Sequence, residues 1–154
     1  MRQVTRKMKN PLKLESSPRS DSQPEHDSPA AGTLAFVVDD EEIIASTLAM
    51  ILRGSGFEAV AFTQPVEALR AAEVRCPAFL ITDVAMPVLN GIDLAIQFKA
   101  IYPQCRVLLF SGALSTSARV DGAREKGFEF PILAKPVHPM ELLAKLKQLG
   151  EQKH

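Results

Sequence analysis

The chain has 154 residues, 46% of them apolar, with 18 basic and 18 acidic side chains and a formal net charge of zero. That describes one globular domain with a real core plus a tail, with no whole-chain charge that points to nucleic acid or an anionic membrane. No apolar run approaches the roughly 20 residues of a spanning helix, and the N-terminus, polar behind its charges, reads as having no signal-peptide core.

Cys76 and Cys105 have no Cys or His at metal spacing and read as reduced thiols in or near a core, which suits a cytoplasmic protein. Residues 1–33 read as a disordered N-terminal arm. Five basic residues (Arg2, Arg6, Lys7, Lys9, Lys13) precede any acid, four prolines (Pro11, Pro18, Pro24, Pro29) interrupt periodicity, and few apolar residues offset the entropy of ordering. A basic arm can touch an acidic partner or nucleic acid, but solvation is the default expectation. The arm holds six of the basic and four of the acidic residues, which leaves 12 and 14 beyond it, a mildly acidic remainder.

From Leu34 the pattern changes. Leu34–Val38 is a continuous apolar run, the mark of a strand buried on both faces, and it ends in Asp39-Asp40-Glu41-Glu42. A helix follows with Ile44, Leu48, Ile51 and Leu52 on one face, closed by Gly54-Ser55-Gly56. Phe57 to Phe62 reads as a second strand, and Pro65 opens a short helix with Val66 and Leu69 inward. Phe79 to Thr82 is a third strand that delivers Asp83 to its carboxyl end. Pro87 and Asn90-Gly91 then turn the chain into a helix from about Gly91 to Tyr102, with Leu94, Phe98 and Ile101 at core spacing. Arg106–Phe110 is a fourth strand with Ser111-Gly112 as its exit. A helix with a thin apolar face lies around Thr116 to Lys126. A fifth strand covers roughly Phe130 to Ala134, with Pro131 confining regular pairing to its later part. The last helix, about Pro139 to Leu149, groups Leu142, Leu143, Leu146 and Leu149.

Five strands alternating with five helices predict an α/β domain over residues 34–149. Its fold class is a flavodoxin-like, doubly wound, five-stranded parallel sheet of order 2-1-3-4-5. In that order the residues that end the strands converge on one rim: Asp39 and Asp40 after the first, Asp83 after the third, Ser111 after the fourth, Lys135 after the fifth. Asp83 taken alone reads equally well as a turn or N-cap aspartate. Three carboxylates together repel by about 1 to 4 kcal/mol per pair at roughly 4 Å and call for a cation. Oxygen-only ligands in an open site favour Mg²⁺ over a caged Ca²⁺. Lys135 can hold an anionic group from the other side, and Ser111 can donate to it. Such a site suits phosphoryl transfer, with Asp83 as nucleophile and an aspartyl phosphate as product.

The acidic pair in Val38-Asp39-Asp40-Glu41, Asp83 with Pro87 and Asn90-Gly91, Ser111-Gly112, and Lys135-Pro136 together resemble the receiver domain of two-component response regulators, in order and spacing, over about Leu34 to Leu149. The resemblance implies that Asp83 is phosphorylated by a sensor histidine kinase or histidine phosphotransfer protein. It further implies that Asp39, Asp40, Asp83 and the Ala85 backbone carbonyl hold Mg²⁺, and that Ser111 and Lys135 contact the phosphoryl group. A cis Lys135–Pro136 bond is implied as well. One departure stands out: where receivers usually carry an aromatic switch residue, three positions before the lysine, this chain has Ile132. Ser111 keeps the hydroxyl half of the switch pair. The face built from the fourth helix, fifth strand and last helix is therefore expected to respond weakly or differently.

Only Gly150 to His154 follows, a C-terminal tail, so the expectation is a stand-alone receiver. Its output would be phosphorylation-dependent binding of a downstream protein target or onward phosphorelay, with no direct nucleic acid or membrane binding. Phosphorylation-dependent dimerisation is left open. It is expected to be no enzyme beyond catalysing its own phosphorylation and dephosphorylation. A binding-only receiver-like adaptor is the alternative. A flavin-phosphate binder conflicts with four acids after the first strand, and a haloacid-dehalogenase-type hydrolase needs an acid where Ala85 stands. His26, His138 and His154 read as surface residues.

Overall fold

The computed structural model describes residues 32–112 and 117–151. The arm up to residue 31, the connection at 113–116 and the last three residues lie outside it, so the readings of the arm, of Thr116 and of His26 and His154 do too. The elements run β1 (Leu34–Val38), α1 (Glu42–Gly54), β2 (Glu58–Phe62), α2 (Pro65–Val74), β3 (Phe79–Asp83), α3 (Gly91–Ile101), β4 (Arg106–Ser111), α4 (Ser117–Glu125), β5 (Ile132–Ala134) and α5 (Pro139–Glu151). All neighbouring strands pair in parallel, in the order β2-β1-β3-β4-β5. This is the flavodoxin-like arrangement expected from the alternation of strands and helices.

Side chains alternate across each strand, which explains why the strands read as unbroken apolar runs. Phe36, Val38, Leu80, Val107 and Leu109 point to the face covered by α2, α3 and α4, where they meet Ala68, Leu94, Phe98 and Ala123. Ala35, Val37, Ile81, Leu108 and Phe110 point the other way, onto Leu48, Leu52, Leu142 and Leu146 of α1 and α5. Fully burying a side chain such as Leu52 or Phe98 is worth about 1.5–3 kcal/mol, so both layers hold the sheet.

Several inward assignments shift. Ile101 is 60% exposed, because α3 ends there and Tyr102 takes the core position instead, its ring 5.7 Å from that of Phe98. Val66 is 44% exposed; the inward stripe of α2 is Pro65, Ala68 and Ala72, small residues that bring this helix close to the sheet, with Leu69 only partly buried. Cys105 is buried, and burial pushes its thiol up to about 12, whereas Cys76 is exposed rather than packed in the core. β5 begins after Pro131, as the missing amide donor of that residue requires. α4 packs through Val120 and Ala123, consistent with its thin apolar face. Among the described residues no helix is long and apolar enough to cross a membrane.

One glycine fixes the entry to α3. A Cβ on Gly91 would lie 1.9 Å from the Asp83 carbonyl oxygen and 2.8 Å from its carbon, both backbone atoms that cannot swing aside. The first turn of α3 is thus packed directly on the end of β3, and the Gly91 N–H donates to the Val84 carbonyl at 2.9 Å. Gly91→Ala is expected to lower stability by more than about 2 kcal/mol through forced backbone movement. Gly122→Ala in α4, where a Cβ meets open space, should instead stabilise by about 0.5–1 kcal/mol. Urea denaturation of the two variants side by side checks both.

Candidate functional site

β1 and β3 are neighbours, so the residues that leave their carboxyl ends are held about 5 Å apart by the ladder itself. Asp39 follows Val38 and is completely buried, Asp40 is exposed, and Asp83 closes β3 with 5% exposure. One carboxylate oxygen from each of the three lies within 4.8 Å of the others. β5 delivers Lys135 from the far side of β4. Its Nζ lies 3.3 Å from Asp83 Oδ1 and 3.4 Å from Asp39 Oδ2, and 5.2 Å above the ring of Phe110.

The backbone adds two donors. The Glu41 N–H donates to Asp39 Oδ1 at 2.8 Å, and the Ala85 N–H donates to the Asp83 carboxylate. The N-cap reading of Asp83 fails on the same region: α3 is capped by Asn90, whose side-chain oxygen accepts from the Asp93 N–H at 2.9 Å. Asp83 is therefore free of a structural helix role and faces the rim.

Charge at this rim does not balance. Burial pushes the Asp39 carboxyl above the usual range and Asp83 adds to it, against the Glu41 amide and Lys135. Burial likewise raises Asp83, with Asp40 adding, against Lys135 and the Ala85 amide. Burial pulls the Lys135 ammonium down, but Asp83 and Asp39 outweigh it and hold it above its ordinary value. One ammonium shared between two buried acids, with a third beside them, leaves a net negative cluster. Its donors are all oxygens, and they fit a hard divalent cation better than a soft one.

Ser111 ends β4 beside Ala134, and its carbonyl accepts from the Lys135 N–H at 3.0 Å, so the backbone that carries Ser111 also positions Lys135. The Lys135–Pro136 bond is cis. Ile132 lies two ladder steps back from the rim, opposite Leu109, and is 38% exposed. The nearby aromatic pair is Phe128 and Phe130, stacked 5.9 Å apart and packed on the core just before β5. His138 is exposed. Sequence reasoning missed the Glu41 and Ala85 amides and the Phe110 ring, since backbone donors and a buried aromatic leave no local pattern. An apolar cavity of about 490 Å³ adjoins the site, lined by Ile43, Ile44, Thr47, Ile51 and Val137 beside Lys135.

Comparison with known proteins shows the family and the fold. The transcriptional regulatory protein PrrA of Mycobacterium tuberculosis is 33% identical over 114 residues, which cover 74% of this chain and 48% of PrrA. The transcriptional regulatory protein CreB of Escherichia coli is 30% identical over 114 residues, 74% of this chain and 49% of CreB. The chain thus spans about half the length of the curated relatives it matches. Among solved structures, a response regulator receiver domain protein from Clostridium thermocellum superposes with a TM-score of 0.69 at 28% identity, covering 76% of this chain and 93% of that one. The chemotaxis protein CheY4 of Vibrio cholerae gives a TM-score of 0.69 at 25% identity, covering 77% and 99%. With residues 35–147 matching the family as a whole, the chain belongs to the response regulator receiver domains.

Proposed function

We propose that this receiver accepts a phosphoryl group on Asp83 from the phosphohistidine of a sensor histidine kinase or a histidine phosphotransfer protein, and signals in the cytoplasm through phosphorylation-dependent protein binding or phosphorelay. The observation that carries the reading is the placement of Asp83. It sits at the end of the central strand, between an ammonium 3.3 Å away and two further carboxylates. A carboxylate oxygen of Asp83 attacks phosphorus, the P–N bond to the donor imidazole breaks, and the imidazole leaves with the bonding pair. Lys135 binds a phosphoryl oxygen from its side of the site, and Ser111 donates a hydrogen bond to another. Asp39, Asp40, Asp83 and the Ala85 carbonyl would hold Mg²⁺. Bound there, Mg²⁺ supplies the positive charge that lets an anionic phosphoryl group approach three acids. On this reading the chain catalyses only its own phosphorylation and dephosphorylation.

The direct test is incubation with carbamoyl phosphate and Mg²⁺. One phosphate per chain should appear by intact mass, and both Asp83→Asn and removal of Mg²⁺ by a chelator should abolish it. A binding-only adaptor would stay unmodified. Lys135→Ala is expected to slow the modification by about 100-fold or more, since it removes the ammonium that contacts both Asp39 and Asp83.

Stability should report the same charge imbalance. For acids whose folded pKa is raised, the unfolded chain loses its protons first. Stability therefore falls as pH rises from the ordinary carboxylate range through the raised folded values, and the penalty is complete above them. At neutral pH without divalent ions, Asp39→Asn removes one of two buried charges sharing Lys135 and keeps an acceptor for the Glu41 N–H. It should raise Tm by about 3–6 °C. Mg²⁺ should raise the Tm of the parent chain, less so as pH is lowered because protons compete, and should leave Asp39→Asn nearly unchanged. Calorimetry with and without Mg²⁺ measures all three effects.

A further inference from the structure

The apolar cavity beside Lys135 opens at the surface. Ile43, Ile44, Thr47 and Ile51 of α1 line one side, and Lys135, Pro136 and Val137 line the other. Ile43 is 80% exposed, and Met50, on the same side of α1 by helical spacing, is 67% exposed. The outer face of such a helix ordinarily carries charge, so apolar residues along it call for a cover. One end of the same groove is acidic. Asp40, Glu41 and Glu42 are exposed where α1 begins, and Glu141 is exposed in the first turn of α5. A segment that fits here carries apolar and basic residues together.

The chain contains such a segment. Residues 1–13 hold Arg2, Arg6, Lys7, Lys9 and Lys13 and no acid. Before Pro11, Met1, Val4 and Met8 recur at helical spacing, and so do Arg2, Arg6 and Lys9, so a helical register sets apolar and basic residues on adjoining faces. A stretch this short is marginal as a helix in water and needs a surface on which to bury its apolar face.

Its point of attachment also fits. The Gly32 N–H donates to the Gly56 carbonyl at 3.0 Å, so the arm joins the domain beside the C-terminal end of α1, which stops at Gly54. With 13 residues, α1 is about 20 Å long, and that is the distance back to the acidic end of the groove. A coil as long as the connecting stretch, residues 14–31, has a root-mean-square span of about 23 Å. Span and reach match, the condition under which a tethered segment has its highest effective concentration, of the order of 1 mM. A contact with an intrinsic Kd of about 0.1 mM is then occupied about nine-tenths of the time.

We infer that residues 1–13 dock back onto their own domain, with Val4 and Met8 in the cavity between α1 and Val137 and with Arg2, Arg6 and Lys9 against Asp40, Glu41, Glu42 and Glu141. A cavity of about 490 Å³ is of the size that buries a small ligand, and these two apolar side chains take that place. Because Lys135 and Pro136 form one wall, the docked arm also covers this side of the rim that carries Asp83. Docking holds whether or not Asp83 accepts phosphate.

The test places a nitroxide on the arm of the full-length chain, at Gln3→Cys with Cys76→Ser. Cys105 is buried, with its thiol pushed up to about 12, and does not take the label. In amide spectra at low salt, the signals of Ile43, Ile44, Thr47 and Val137 are expected to weaken about two-fold or more relative to the reduced label. Those of Ala95 and Val120, on the opposite face of the sheet, should stay unchanged. Adding Val4→Ser and Met8→Ser should remove the effect, and about 1 M salt should reduce it by screening the acids. Arg2→Glu with Arg6→Glu should also reduce it, and Glu41→Lys with Glu42→Lys in that same chain should restore it. Weakening that is absent, that spreads equally over both faces, or that survives Val4→Ser with Met8→Ser overturns the proposal. So does weakening of these signals in an isotope-enriched, unlabelled chain mixed with a spin-labelled, unenriched one, which makes the occupant a second copy.

Discussion

Like charges held together against their repulsion govern this domain. Parallel pairing of β1 with β3 fixes the ends of the two strands about 5 Å apart, and the chain places an acid at each end and another alongside. The ladder hydrogen bonds and the apolar layers on both faces keep those acids close, because separating them would mean breaking the centre of the sheet. Lys135 relieves part of the repulsion, and two backbone amides relieve more. What is left is a site that favours a cation and, with the cation, an anionic group.

The rest of the fold serves that placement. Alternation along the strands divides the core into two layers, so neither face of the central strands is open to water. Gly91 lets α3 start against the backbone of Asp83, which ties the site loop to the end of its own strand. The hydrogen bond from the Lys135 amide to the Ser111 carbonyl ties β5 to β4 at the rim and sets where the ammonium emerges. The loop between β3 and α3 is the exception to this economy. It carries a positive φ at Val88 and leaves that side chain exposed.

Much of this was legible in the sequence for a definite reason. Unbroken apolar runs such as Leu34–Val38 and Arg106–Phe110 occur when a strand is covered on both faces, and punctuation by Pro65, Pro87 and Pro103 separated them from the helices. Errors fell at helix ends. Periodicity put Ile101 inward, but a helix that stops there hands the core position to Tyr102. Val66 looked like a core residue by spacing, yet the buried stripe of α2 is Pro65, Ala68 and Ala72, and Val66 falls beside it.

The sequence by itself determined which residues end the strands, because strand boundaries and residue types are local properties: Asp39, Asp40, Asp83, Ser111 and Lys135 could be named before any coordinates. Only the tertiary structure decided that Lys135 bridges Asp39 and Asp83, that the Glu41 and Ala85 amides point at those acids, and that Asn90 rather than Asp83 caps α3. Those are distances and directions between segments far apart in the chain, or backbone angles that side-chain identity does not encode. The same holds for Val88, whose positive φ contradicts its residue type and is imposed by the path the loop takes between Pro87 and Gly91.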